Sequence, residues 1–194
     1  MRHRRMRLQA RGPSTTVEAV PELIDPTTRL AASFTAALHE FSAADPDVGR
    51  SWTGTVIERF QRPGTDWVAG YVEAELGWRT VPPAGFVPFT TLWWADGDTY
   101  LGRISIRHRL NEHLRDIGGH IGYDVRPSAR GRGHATAMLA AALPRAAALG
   151  IDTALITCDE SNTASRKVIE RNGGVLDDRR GDKLRYWAPT SPAA

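Results

Sequence analysis

Two arginines alternate with two glycines in "RGRGHA", residues 130–135, between a β-branched run and an alanine-rich one. Glycine costs about 1 kcal/mol relative to alanine inside a helix. Three arginines within Arg126–Arg132 also crowd like charge. A bound anion would offset both terms. Backbone N–H groups in the first turn of a helix lack intrahelical partners, and the helix dipole adds partial positive charge there. Glycine lets that backbone approach a ligand, and arginine adds charge-assisted bonds to phosphate oxygens. The alternative is a solvated basic turn at an ordinary helix start. The stretch lacks the Gly-Lys-Ser/Thr ending of a nucleotide P-loop and the three-glycine spacing of a dinucleotide turn, so neither phosphate site fits.

The elements around this loop follow from hydrophobic period. Residues 27–43 place Leu30, Phe34, Ala37, Leu38 and Phe41 at helical spacing, and Asp45-Pro46 should stop that helix. Residues 64–78 predict a second amphipathic helix with Trp67, Val68, Tyr71, Val72 and Leu76 on one side. "VPFTTLWW" and "TYLGRISIR" are β-rich, with Asp96-Gly97 as a hairpin signal between them. A strand at 119–125 leads into the arginine-glycine loop. A helix follows over 133–149, which Pro144 should bend or shorten. Strand 152–158, a short helix in "NTASRKVIERNGG" and a closing strand "KLRYWA" complete the chain. Adjacent Trp93 and Trp94 must face opposite sides of their strand, one into a core and the other against a cleft. Trp67 and Trp78 are expected to pack the helices. The pattern is a mixed α/β (α+β) fold in one domain spanning 1–194, with 1–7 and the tail 188–194 untethered. "MRLQA" near the start could be a first strand.

Composition narrows the class. The 194 residues carry a net charge of +3, with 41% hydrophobic and 24% charged residues, ordinary for a soluble domain. The bias is too weak for a nucleic-acid binder, and aromatic RNA-recognition motifs are absent. Nearly all the positive charge is arginine, since Lys167 and Lys183 are the only lysines. Cys158 is the single cysteine, so no intrachain disulfide forms. No apolar run approaches the roughly 18 residues that cross a bilayer. The basic amino terminus lacks the apolar stretch of a secretion signal. A cytoplasmic location is expected.

Arg130-Gly131-Arg132-Gly133-His134-Ala135 resembles the [Gln/Arg]-x-x-Gly-x-[Gly/Ala] signature of the GNAT superfamily of acetyl-CoA-dependent N-acetyltransferases. "NTASRKVIERNGG" is similar to that family's asparagine-led second helix. Residues 88–178 resemble a bacterial branch marked by "RHRLNEHL", "GGHIGY" and "SRKVIERNGG". The resemblance implies a GNAT-like, mainly antiparallel central sheet with flanking helices, whose two parallel strands, 119–125 and 152–158, splay around the cofactor. It implies that amides of Gly131, Gly133, His134 and Ala135 cradle the coenzyme A diphosphate, flanked by Arg130 and Arg132. The backbone of Tyr123 and Val125 would pair with the pantetheine arm, and Asn162 would bond that arm or serve only as a helix cap. Arg166 or Lys167 would reach the 3′-phosphate or simply be solvated.

The implied reaction is direct attack of a primary amine, of a small molecule or protein, on acetyl-CoA. An amine with a pKa of ~10.4 is almost wholly protonated at pH 7, so a base or water chain must take its proton. A strand amide such as that of Val125 would meet the oxyanion. The tyrosine acid common in the family is absent, because its position holds Ile169. Where relatives place a glutamate base, this chain has Gly119-His120. His120 is the candidate base, since imidazole titrates near neutrality; its alternative is a structural histidine. Tyr123 is an acid or packs on pantetheine. His108 and His113 would line the acceptor pocket. No metal is expected, because the histidine spacing is loose for zinc. Cys158 reads as an inert buried thiol. The departures keep a second reading open, a catalytically silent acyl-CoA sensor or docking module. Homodimers are common among relatives.

Overall fold

The Asp96-Gly97 pair turns the chain as expected. Gly97 adopts φ +53°, and strands β2 (Phe89–Asp96) and β3 (Thr99–Arg107) pair antiparallel from Phe89↔Arg107 to Asp96↔Thr99. The computed structural model describes residues 20–44, 52–61 and 66–191. The Asp45-Pro46 helix stop and the "MRLQA" strand lie outside them. The other strands are β1 (Glu22–Ile24), β4 (Ile121–Val125), β5 (Thr153–Asp159), β6 (Val175–Arg180) and β7 (Lys183–Pro189). They form one seven-stranded sheet in the order β1-β2-β3-β4-β5-β7-β6, antiparallel throughout except for β4 beside β5.

Strand alternation splits the core. Trp93 points to one face, where helices α1 (Ala31–Ala44), α2 (Trp52–Phe60) and α3 (Trp67–Gly77) pack. Trp94 points to the other, against α5 (His134–Ala148) and α6 (Thr163–Arg171). Both tryptophans are core residues, 0% and 5% exposed; neither walls an open cleft. On the first face Phe34 stacks on Trp93 at 4.6 Å and on Tyr71 at 5.1 Å, and meets Tyr100 edge-on. The buried stripe of α3 is Val68, Tyr71, Val72 and Glu75, while Leu76 is 37% exposed. The expected stripe thus erred by one residue at its end. An i, i+3, i+4, i+7 face continues through Glu75, and Leu76 lies about 100° round the helix.

Two further expectations are narrowed. Helix α5 is not shortened at Pro144 but runs on to Ala148; Pro144 and Ala140, whose carbonyl loses its partner, are both exposed to water. The tail is tied down through residue 190, while 1–7 and 192–194 lie outside the described residues. Strand β7 continues to Pro189, and the buried Thr190 hydroxyl donates to the Ile151 carbonyl at 2.6 Å. A short helix α4 (Glu112–Asp116), capped by Asn111, joins β3 to β4. No helix among the described residues is long and apolar enough to cross a membrane.

Phe34→Ala should destabilise the fold by about 3–5 kcal/mol in urea denaturation, because Trp93, Tyr71 and Tyr100 all lose the ring they pack on. Leu76→Ala should stay within roughly 0.5 kcal/mol of the parent. Equal losses would contradict the assigned α3 face.

Candidate functional site

Helices α3, α4 and α6 each begin with a side-chain cap, from Asp66, Asn111 and Asn162. Helix α5 begins differently. Its N-cap is Gly133 at φ +83° with no side-chain cap bond, and the first helical bond runs from the Ala137 amide to the Gly133 carbonyl. The preceding amides, those of His134, Ala135 and Thr136, therefore remain open to a ligand. Gly131 is also left-handed, at φ +76°, and open space surrounds the Cβ position of both glycines. Larger residues would be strained there by the backbone rather than by a neighbour.

This turn is braced from behind. Glu40 on α1 accepts both Nε (2.8 Å) and Nη2 (2.6 Å) of Arg126 on Oε1, and the Ser128 amide (3.0 Å) on Oε2. Arg126 also donates to Ser33 Oγ and the Tyr100 carbonyl. Of the three clustered arginines, Arg126 is thus committed to the protein. The Arg126 fork and the Ser128 bonds hold the Glu40 carboxyl down at about 2 against the ordinary 4.5.

In front of the turn lies a cavity of about 750 Å³. It exists because β4 and β5 share a single register pair, Ile121↔Ile156, and part beyond it. Alternation along β4 turns the backbone of Tyr123 and Val125 away from β3 and toward the gap. The strands are pinned at the closed end. The His120 amide donates to the Leu155 carbonyl at 2.6 Å, the Leu155 amide donates to His120 Nδ1 at 2.9 Å, and the Gly118 amide donates to Thr157 Oγ1. A Cβ on Gly119, at φ +60°, would stand 2.3 Å from the Leu155 carbonyl oxygen, so only glycine permits this approach.

The cavity brings together Tyr123, Val125, Arg130, Gly131, Gly133, His134, Ala135 and Asn162. His134 Nδ1 accepts the Trp94 indole N–H at 3.3 Å, and Arg130 Nε donates to the Val125 carbonyl. Asn162 caps α6 through Oδ1 on the Ser165 amide, which leaves its NH₂ for the cavity. Arg132 and Arg166 do not line it; Arg132 is exposed and Arg166 lies against Tyr186. Lys167, Thr136, Ser165 and Arg171 do. Only Lys167 of these four was legible, as a cation beside the asparagine motif.

The expected base, His120, is outside the cavity lining. Its Nδ1 lone pair is taken by Leu155, so the neutral ring keeps its proton on Nε2 and offers no acceptor. Burial, with Arg115 and Arg107 nearby, lowers its pKa further. Tyr123 is better placed. Its hydroxyl meets Ser165 Oγ at 2.7 Å within the cavity, and burial raises its pKa to about 12. Cys158 is buried, as expected, behind the wall of the cavity, with its thiol pKa raised by burial. His113 lines a second, smaller cavity, whereas His108 is held by Thr90 Oγ1 at 2.9 Å. Ile169, at the family's tyrosine position, is fully buried.

Glu40→Gln tests the brace. Because the folded carboxyl titrates below its unfolded value, its stabilisation is complete above pH 4.5 and drains away as pH falls toward 2. The stability gap between parent and variant, measured by denaturant melts, should be largest above pH 4.5 and close below it. A gap independent of pH would contradict the pairing.

Residues 28–175 match the family model of the acetyltransferase (GNAT) domain. No curated protein matches the chain. Among solved structures, the microcin C7 self-immunity acetyltransferase MccE, in complex with acetyl-CoA and AMP, matches with a TM-score of 0.61 at 16% identity, over 91% of this chain and 98% of that one. An acetyltransferase from Agrobacterium tumefaciens matches with a TM-score of 0.53 at 21% identity, over 94% and 98%. Mycobacterium smegmatis RimJ in complex with CoA-disulfide gives 0.53 at 20% identity, over 88% and 86%. These likenesses concern the fold, and the family match extends over most of the sequence. The chain belongs to the acetyltransferase (GNAT) domain family.

Proposed function

We propose that the protein is an N-acetyltransferase that moves the acetyl group of acetyl-CoA to a primary amine by direct attack. The observation that carries this reading is the gap between β4 and β5, which runs into the uncapped start of α5. A thioester carrier has the matching shape: an extended arm for the strand edge and a diphosphate for the amides. The diphosphate is held by the amides of Gly131, Gly133, His134 and Ala135, with Arg130 adding charge. The arm pairs with the backbone of Tyr123 and Val125 as an added strand, and the Asn162 NH₂ donates to it.

The chemistry then needs three things: a neutral amine, a donor for the oxyanion and a proton for the leaving thiolate. A β4 edge amide serves the oxyanion. Tyr123, which keeps its proton throughout the neutral range, protonates the sulfur in place of the tyrosine that Ile169 replaces. His120 positions β4 against β5 rather than acting as base, and water in the cavity takes the amine proton. The missing family acid and the engaged His120 favour the second reading, a silent acyl-CoA sensor, and turnover separates the two. The single cysteine, which leaves no intrachain disulfide to protect, fits a cytoplasmic setting.

Incubation with acetyl-CoA, a panel of primary amines and a thiol reagent should show coenzyme A released above background. Gly133→Asp, which sets a carboxylate against the diphosphate, should abolish cofactor binding in calorimetry with the fold retained. Tyr123→Phe should lower kcat by roughly a hundredfold with little change in the acetyl-CoA KM. His120→Asn, whose amide oxygen can still accept from Leu155, should keep the parent pH profile. Tight cofactor binding with no turnover on any amine would favour the sensor, and loss of the acidic limb in His120→Asn would restore that histidine as base.

A further inference from the structure

The second cavity, about 350 Å³, adjoins the first and shares Arg107 and Gly118 with it. Its volume lies within the range of roughly 300–1,000 Å³ typical of small-molecule sites. Its walls are mostly apolar, from Val87, Phe89, Leu114, Phe86 and Ile117. Phe86 and Ile117 are 65% and 46% exposed, so large apolar surface faces water at its mouth. No acidic residue lines it.

Arg107 stands where the two cavities meet. Its Nη1 donates to the carbonyls of Gly118 (2.9 Å) and Gly119 (3.2 Å). Nε and Nη2 carry three further N–H groups with no partner among the described residues. Three other partly buried arginines are paired with carboxylates, Arg103 with Asp124, Arg126 with Glu40 and Arg185 with Asp178, whereas Arg166 rests on the Tyr186 hydroxyl. Among the described residues, Arg107 has no carboxylate within ion-pair distance. Burial, reinforced by the like charge of Arg103, brings its pKa down to about 10, which leaves it cationic at neutral pH and short of a counter-ion. A side chain on Gly122, at the β4 edge where the arm is placed, would begin 3.7 Å from the Arg107 guanidinium.

We propose that the smaller cavity is the acceptor subsite and that Arg107 grips a carboxylate beside the acceptor's amino group. The substrate class is a free α-amino acid with an apolar side chain. This rests on the transferase reading above. The carboxylate meets the Nε/Nη2 fork, the side chain covers Phe86, Phe89 and Ile117, and the amino group reaches the β4–β5 gap. The same cation disfavours the ammonium form of its neighbour, which eases proton loss without a dedicated base. The amine nitrogen attacks the thioester carbonyl, the C–S bond breaks, one amine proton leaves to water and the thiolate gains one. The products are the N-acetyl amino acid and coenzyme A.

The test compares phenylalanine and leucine with their amides, which keep the amine and side chain but lack the negative charge. Turnover of the acids should exceed that of the amides by about ten- to a hundredfold in kcat/KM, as one charge-assisted contact implies. Arg107→Met should erase that preference and Arg107→Lys should restore part of it, with melting curves confirming that both variants are folded. Calorimetry on the coenzyme A-loaded full chain supplies a second readout: N-acetylphenylalanine should bind in preference to its amide, dependent on Arg107. Equal turnover of acids and amides, or a preference that survives Arg107→Met, would overturn the assignment. Should no amine turn over at all, Arg107-dependent binding of the acid would sustain the subsite while the transferase reading fell, and equal binding of acid and amide would end both.

Discussion

Two neighbouring strands that bond at one point and then separate set everything else in this protein. In a continuous sheet each strand's backbone is taken up by its neighbours. Here β4 keeps β3 on one side and meets β5 only at Ile121↔Ile156. Beyond that pair the edge of β4 is a row of polar groups inside the molecule, and a buried unpaired peptide group is costly. The molecule concentrates its fastening at the closed end, through His120, Leu155, Gly118 and Thr157. The open end keeps its β4 edge unpaired, and the proposed carrier would lie along it.

The same trade-off governs the start of α5. An uncapped helix start forgoes about 1 kcal/mol that a serine or aspartate would supply, and glycines at 131 and 133 add backbone entropy to the cost of folding. Glu40 offsets this from the far side by holding Arg126 and the Ser128 amide. The positive charge near the turn is therefore divided by role. Arg126 is structural, Arg130 leans over the cavity from the Val125 carbonyl, and Arg132 faces solvent. Arg107, at the opposite end of the gap, is a cation left without a carboxylate among the described residues.

Much of this was legible in the sequence because it is local. The hairpin at Asp96-Gly97, the opposed Trp93 and Trp94 and the glycine turn all follow from spacing within a few residues, whereas the parallel pairing of strands 119–125 and 152–158 was implied only by the family resemblance. Elements with weak apolar period escaped. Helix α2 buries only Thr53 and Val56, β6 buries no residue fully, and α4 is five residues long. The decisive partners were hidden for a different reason. Glu40 and Arg126 are 86 positions apart, and His120 meets Leu155 across 35. No local pattern could show that His120 gives its lone pair to a backbone amide, or that Arg107 ends β3 between two cavities.

The most direct measurement is a crystal structure of the protein with acetyl-CoA. The expected result is diphosphate density within hydrogen-bonding distance of the amides of Gly133, His134 and Ala135, with the arm laid along Tyr123 and Val125. Density for the carrier elsewhere on the surface, or an α5 start that stays bare at saturating ligand, would contradict the account.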